Sequence, residues 1–274
     1  MEDTLSPEAA ASLLQAIAEG QGIEESVSTQ TLLALAEMAL DLERMEICEK
    51  LAFSGHAKAS YDDDKESMAW ALFLIARVKL SDTLQRIQDA KLDDQEIHVD
   101  GGLLGALQEA RDAAEELKNI RLIGNIEQLE GIHLKALGNI TGARDSFVRS
   151  LASKEEIGDV LGTANSLHSL GEIAMDQNQF EDALGFFDRA AETYEMAGEM
   201  IECAHSLSLS SHALIQINHL EEANERLENS LEIGREMEDI STQIVAHWGL
   251  VDLGHLTENI SLELENLQAA VVLF

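Results

Sequence analysis

The sequence repeats itself every forty residues across its C-terminal half, and the repeat needs no gaps. Written beneath one another, Ile120 to Asp159, Val160 to Glu199, Met200 to Asp239 and Ile240 to Phe274 bring like residues into columns. Gly131 falls over Gly171, and Ala143, Ala183 and Ala223 share a column. Phe147, Phe187, Leu227 and Leu267 form another, and Ser150, Ala190, Ser230 and Ala270 a third. A period of this length marks a chain of supersecondary units. Each unit cannot cover its own apolar faces and is stable only when stacked on a neighbour.

Each unit has the pattern of two helices. In the second, Ala164, Leu167, Leu170, Gly171 and Ala174 recur at spacings of three and four, which is one helical face. Asp176-Gln177-Asn178-Gln179 breaks the pattern as a turn, and Phe180, Ala183, Phe187 and Ala190 form the apolar face of the next helix. Small residues stand where two helices must approach closely, and Leu167 and Phe187 fill the space beside them. The units end at Gly158-Asp159, Gly198-Glu199 and Glu238-Asp239. Composition agrees: Ala, Leu and Glu dominate, aromatics are 4%, and there is one proline, Pro7. That mixture favours helix over sheet.

The first half is more divergent. Leu32, Leu35, Ala36 and Ala39, then Cys48, Ala52 and Gly55, predict a helix pair joined near Glu43-Arg44. Leu72, Ile75 and Ala76 start another, whose second helix begins only at Leu103, Leu107 and Ala110, leaving an insertion near 88–102 as a surface loop or extended helix end. Ser6-Pro7-Glu8 is a helix-start signal. The expected organisation is a capping segment over 1–25, divergent repeats over 26–119 and regular repeats over 120–274.

The order Leu167-x-x-Leu170-Gly171-x-x-Ala174, then Ala183-x-x-x-Phe187-x-x-Ala190, resembles the tetratricopeptide repeat. The family's helix-breaking proline is absent, and the unit is longer than the ~34-residue form. The resemblance holds over 120–239 and weakens in the last unit, where Glu263 occupies the small-residue column. It implies an all-α fold: a right-handed α-solenoid of stacked antiparallel helix pairs with a concave inner surface.

The net charge of −34 repels polyanions, so neither nucleic acid nor an anionic membrane is expected as partner. Cys48 and Cys203 form no CxxC pair, and the acidic Met1-Glu2-Asp3-Thr4 start lacks a signal-peptide pattern, so a reducing cytoplasmic location is expected. No phosphate loop, H-E-x-x-H or G-x-S-x-G occurs, and no enzyme activity or cofactor is expected. Asp62-Asp63-Asp64 lacks the downstream Gly and Glu of a calcium loop and is expected to cap the next helix. Cys48 stands in a small-residue column as a packing residue.

In the tetratricopeptide family the first helix of each pair lines the concave face. Carried over by alignment, the resemblance implies partner-binding positions at Asn125, Gln128, Ile132 and Lys135, then Asn165, His168, Glu172 and Asp176. The third unit supplies His205, Ser208, His212 and Gln216, and the fourth Trp248, Asp252 and His255. Asn and Gln offer both donor and acceptor to a peptide backbone. His205 and His212, two turns apart, are not a zinc pair. A clamp for C-terminal carboxylates needs basic inner residues; here the comparable positions hold Leu129, Ser169, Leu209 and Gly249, and Lys135 alone is basic. A basic or neutral protein or peptide is therefore the expected partner.

The expected function is a non-catalytic protein-binding scaffold. The alternative is a signal- or peptide-sensing regulatory module acting on a separate effector, because similar repeats form the sensing part of some bacterial regulators. The last helix ends in Ala270-Val271-Val272-Leu273-Phe274, which predicts self-association through this helix, cover by a partner, or continuation of the array.

Overall fold

The computed structural model describes residues 7–23, 26–92 and 101–273. Among them the chain is helical and carries no strand: α1 (Pro7–Ala18), α2 (Thr29–Asp41), α3 (Met45–Tyr61), α4 (Lys65–Leu92), α5 (Gly101–Glu116), α6 (Ile120–Ala136), α7 (Ile140–Ile157), α8 (Val160–Asp176), α9 (Phe180–Ala197), α10 (Met200–Gln216), α11 (Leu220–Glu236), α12 (Ile240–Leu256) and α13 (Ile260–Leu273). No described helix is long and apolar enough to cross a membrane.

The turns explain the regular spacing. Lys118, Gly138, Gly158, Asn178, Gly198, Asn218, Glu238 and Glu258 all have positive φ, and they follow one another at twenty-residue intervals. Each is the left-handed residue that closes a helix, and after Asn178, Asn218 and Glu238 the next N–H returns to a carbonyl five residues back: Gln179 to Ala174 at 2.8 Å, His219 to Leu214 at 2.8 Å, Asp239 to Gly234 at 2.9 Å. The following helix then starts at once. Asp159 accepts from the Gly162 N–H at 3.0 Å, and Asp239 from the Thr242 N–H at 2.6 Å. The expected acidic cap of α4 is Asp64, which accepts from the Ser67 N–H at 3.1 Å; hydrogen bonding to Ser67 holds its carboxyl below the usual range.

The chain forms two compact units, Met1–Gly138 and Asn139–Phe274. In the first, α1 packs on α2 and α3, and the later helices pack in sequence through α6. Its core gathers Leu14, Leu35, Leu51, Leu74, Leu103, Leu122 and Ile126. Cys48 is fully buried there, and burial pushes its thiol pKa up to about 11, so it serves as a small apolar side chain. Helix α4 has 28 residues against 17 in α6 and runs on to Leu92. The expected insertion therefore starts as helix; residues 93–100 lie outside the described part, and α5 opens at Gly101.

In the second unit, α7 to α13 pack each on the next, and α10 also touches α12. Phe147, Phe187, Leu167, Leu214 and Leu227 fill the interior. Much of what surrounds them is small and polar. Ser206, Ser208, Ser210 and Ser211 are all buried in α10. The Ser206 hydroxyl donates to the Glu202 carbonyl at 3.0 Å and that of Ser211 to the Ser208 carbonyl at 2.6 Å. Such bonds satisfy the hydroxyls within the helix, so small side chains bring neighbouring helices close without orphaned donors.

In the last pair, Glu263 replaces the column's alanine. A β-carbon on Gly254 would lie 2.7 Å from the Glu263 backbone nitrogen, so at this crossing the small residue that lets the helices approach is the glycine of α12. Ala270 is buried, while Val271 and Val272 are exposed, Val272 to 84%.

Candidate functional site

Helices α8, α10 and α12 are the first members of three successive pairs in the C-terminal unit. His168 on α8 lies 2.9 Å from Ser206 on α10, and His205 on α10 lies 3.1 Å from Thr242 on α12, so the three helices are joined side by side. The Ser206 hydroxyl also lies 3.0 Å from the Glu202 carbonyl of its own helix, so the contact with the His168 Nδ1 is anchored within α10.

Within this row, the sequence-predicted residues differ in accessibility. Asp176, Gln216 and Asp252 are exposed, and Trp248 is 43% exposed. Glu172 and His212 are half-buried; burial lowers the His212 pKa, with Asp252 acting in the opposite sense. His255 is exposed and lies 3.8 Å from Glu263.

Three predicted residues have structural work as well. The Asn165 side-chain oxygen accepts from the Tyr194 hydroxyl at 2.6 Å, tying α8 to α9, and burial raises the Tyr194 pKa. The His168 ring stands edge-on to Phe187 and Tyr194, with centroids 5.6 and 6.3 Å apart. His205 is held by Thr242.

Ser208 corrects the alignment. It is 1% exposed, and its hydroxyl shares a 2.8 Å hydrogen bond with Ser230 of α11. At the equivalent positions His168 and Trp248 have the length to reach solvent; a serine there is enclosed by the close approach of α10 and α11 and offers nothing to a partner.

Asn125, Gln128 and Lys135 are half-buried on α6, in the N-terminal unit. Ile132 packs against that unit's core, which makes it a folding residue.

The alignment passed over Val245, 39% exposed, which shares a column with Asn165 and His205. The column could have found it, since an aliphatic residue there breaks a polar series.

The charge of the row is one-sided. Helices α8, α10 and α12 contain no lysine or arginine at all, while Glu172, Asp176 and Asp252 lie on them. The accessible chemistry is therefore carboxylate and amide around the aromatic face of Trp248 and the aliphatic Val245. Such a face suits backbone hydrogen bonding, apolar anchoring and cationic side chains. Among the described residues no three His, Cys, Asp or Glu side chains converge as a metal site.

The family model described as "Tetratricopeptide repeat" matches residues 163–197, which span α8 and α9. No curated protein matches the sequence. Among solved structures, the apo form of RapI superposes with a TM-score of 0.72 at 12% identity, over 90% of this chain and 65% of that one. A Rap protein complexed with Competence and Sporulation Factor gives 0.67 at 12% identity, over 96% and 69%. BtubC (BKLC) from P. vanneervenii gives 0.63 at 15% identity, over 90% and 91%. At these identities the likeness is one of fold: sequential helix pairs of the tetratricopeptide type. The chain spans just under two thirds of the RapI chain's length.

Proposed function

With the chain identified as a tetratricopeptide-repeat protein, we propose that it is a non-catalytic scaffold that binds a basic or neutral peptide segment along the first-helix row of α8, α10 and α12. The observation that carries this reading is the complete lack of Lys and Arg on those three helices, set beside Asp176, Asp252 and the half-exposed Trp248. A segment carrying Lys or Arg meets attraction along the row; an acidic one meets like charge, which costs affinity and slows association. Asn165 and Gln216 supply amides for its backbone.

The test is peptide selection against the full chain from a displayed random library, followed by affinity measurement on variants. Selected peptides should be rich in Lys or Arg. Asp176→Lys together with Asp252→Lys should weaken them at least about tenfold, and Trp248→Ala should do likewise. Peptides of acidic composition, or binding indifferent to all three changes, would overturn the reading.

A regulatory form of the same function is favoured by one comparison: a Rap protein of similar fold was solved in complex with Competence and Sporulation Factor. In that form the bound segment is a signal, and its binding alters how the chain engages a separate effector. Hydrogen exchange separates the forms. A scaffold gains protection at α8, α10 and α12 alone, whereas a sensor also changes protection in helices the peptide does not touch.

A further inference from the structure

On the opposite side of the pairs, the second helices α9 and α11 flank a groove of about 480 Å³ whose floor is the first half of α10. The floor is apolar, made by Met200, Cys203 and Leu207 with Ala191 and Ile233 from the walls. Glu192 and Glu195 rise on the α9 side, Glu232 and Glu236 on the α11 side, all exposed. At its closed end Arg226 bridges the walls: it pairs with Asp188, with its Nη2 3.3 Å from Oδ2, and its guanidinium also donates to Glu222 and Ser210 at 3.0 Å each. That cation is fully engaged. Among the described residues no ion pair is found for the four rim glutamates.

The repeat period shows why the groove is open. One unit earlier, Arg189 of α9 reaches Glu155 of α7 at 3.2 Å and spans the equivalent gap. Forty residues on, Glu155 becomes Glu195 and Arg189 becomes Asn229. The acid is retained and its bridging cation is gone. Glu195 also stands in the last turn of α9, which has no basic residue, so it meets the negative end of the helix dipole. An acid there, beside three others, raises the field that a cation would relieve.

We propose that this groove docks a basic amphipathic helix of a partner protein, with an apolar side chain on the floor and Lys or Arg against the rim glutamates. The charge selects the occupant: a second copy of this chain, at −34, nucleic acid and an anionic lipid surface all meet repulsion. The apolar floor selects against a merely cationic ligand, because burying Leu or Phe there adds what Coulomb attraction alone does not. This surface is separate from the first-helix row, so either can stand without the other.

The probe is a fluorescent synthetic peptide with leucine and lysine at helix spacing, compared with a lysine–serine peptide of equal charge, read by anisotropy on the full chain. The leucine–lysine peptide should bind at least about tenfold more tightly. Asn229→Arg restores the bridge seen at Arg189 and Glu155 and should weaken that binding at least about tenfold, while Glu225→Gln, an equal charge change outside the groove, should leave it within about twofold. Should Asn229→Arg impair folding, Glu195→Gln, again a change of one unit of charge, replaces it, with the same expected loss. Equal affinity for the two peptides, no binding of either, or equal effects of the groove and control variants would overturn the proposal.

Discussion

The ring of Phe187 occupies the space a β-carbon on Gly171 would need, with its Cε1 2.6 Å from where that carbon would stand. The two residues face each other from α8 and α9, and Phe187 is completely buried. The glycine is there for the ring, and the ring fills what the glycine leaves.

Truncating the ring should therefore leave a cavity between close-set helices. Phe187→Ala is expected to cost roughly 3–5 kcal/mol, the range for core aromatics. Gly171→Ala should also destabilise, because overpacking costs roughly 1–3 kcal/mol and exceeds the gain of up to ~1 kcal/mol in helix propensity. Urea denaturation of both variants checks the pair; a stabilised Gly171→Ala would show that the ring has room to move.

The turns make a second prediction. Gly198 has φ 83°, where a side chain is strained, and Asp239 caps α12 through the Thr242 N–H. Gly198→Ala and Asp239→Ala should each cost about 1 kcal/mol, by strain and by a lost cap respectively. Asp239 has a depressed pKa because it accepts hydrogen bonds from Thr242, so its contribution is present above the ordinary carboxylate pKa and fades as pH falls through the folded value. The Asp239→Ala deficit should shrink accordingly in acid, measured as the difference in Tm.

His212 gives a pH dependence of opposite origin. Burial lowers its pKa, so the unfolded chain takes up a proton first as pH falls below about 6.5. Stability should drop from that pH downward and level off below the folded pKa. His133, also lowered by burial, adds in the same direction. His212→Gln should lose less Tm than the native chain between about pH 7.5 and about pH 5.5. An NMR titration of His212 with a midpoint above the ordinary value would remove the basis.

Binding and stability should separate along the first-helix row. Asn165 holds Tyr194 and His205 holds Thr242, so Asn165→Ala with His205→Ala should lower Tm whatever it does to a peptide. Asp176→Lys with Asp252→Lys changes exposed side chains and should leave Tm nearly unchanged while weakening basic peptides. Loss of stability in the second pair alone would reverse the assignment.

The sequence exposed the helix pairs because packing between repeats obeys one period: Ala143, Ala183 and Ala223 are all fully buried, as are Phe147, Phe187 and Leu227. Helix ends were legible at Gly158 and Gly198, where glycine announces positive φ, and less so at Glu238 or Lys118, which adopt the same conformation because the turn is fixed by the helices on either side. The first-helix row was legible as columns but not as surface. Column position tells direction, and length decides emergence, which is why Trp248 projects and Ser208 does not. The α9–α11 groove was missed because it depends on comparing residues that lie far apart in sequence, Asn229 with Arg189 and Glu195 with Glu155, across one period.

The even spacing of the left-handed turns makes this chain a frame that admits edits only in whole steps. Adding one residue inside a helix turns everything after it by about 100° relative to what came before. An insertion in α10 would thus swing its later side chains, including His212 and Gln216, off the row they occupy. Removal of forty residues, by contrast, would join one unit's end to the next unit's equivalent start and leave the register whole. Between Asp63 and Lys118 the left-handed turns already break the twenty-residue step, so that stretch is not bound to the register the C-terminal pairs keep.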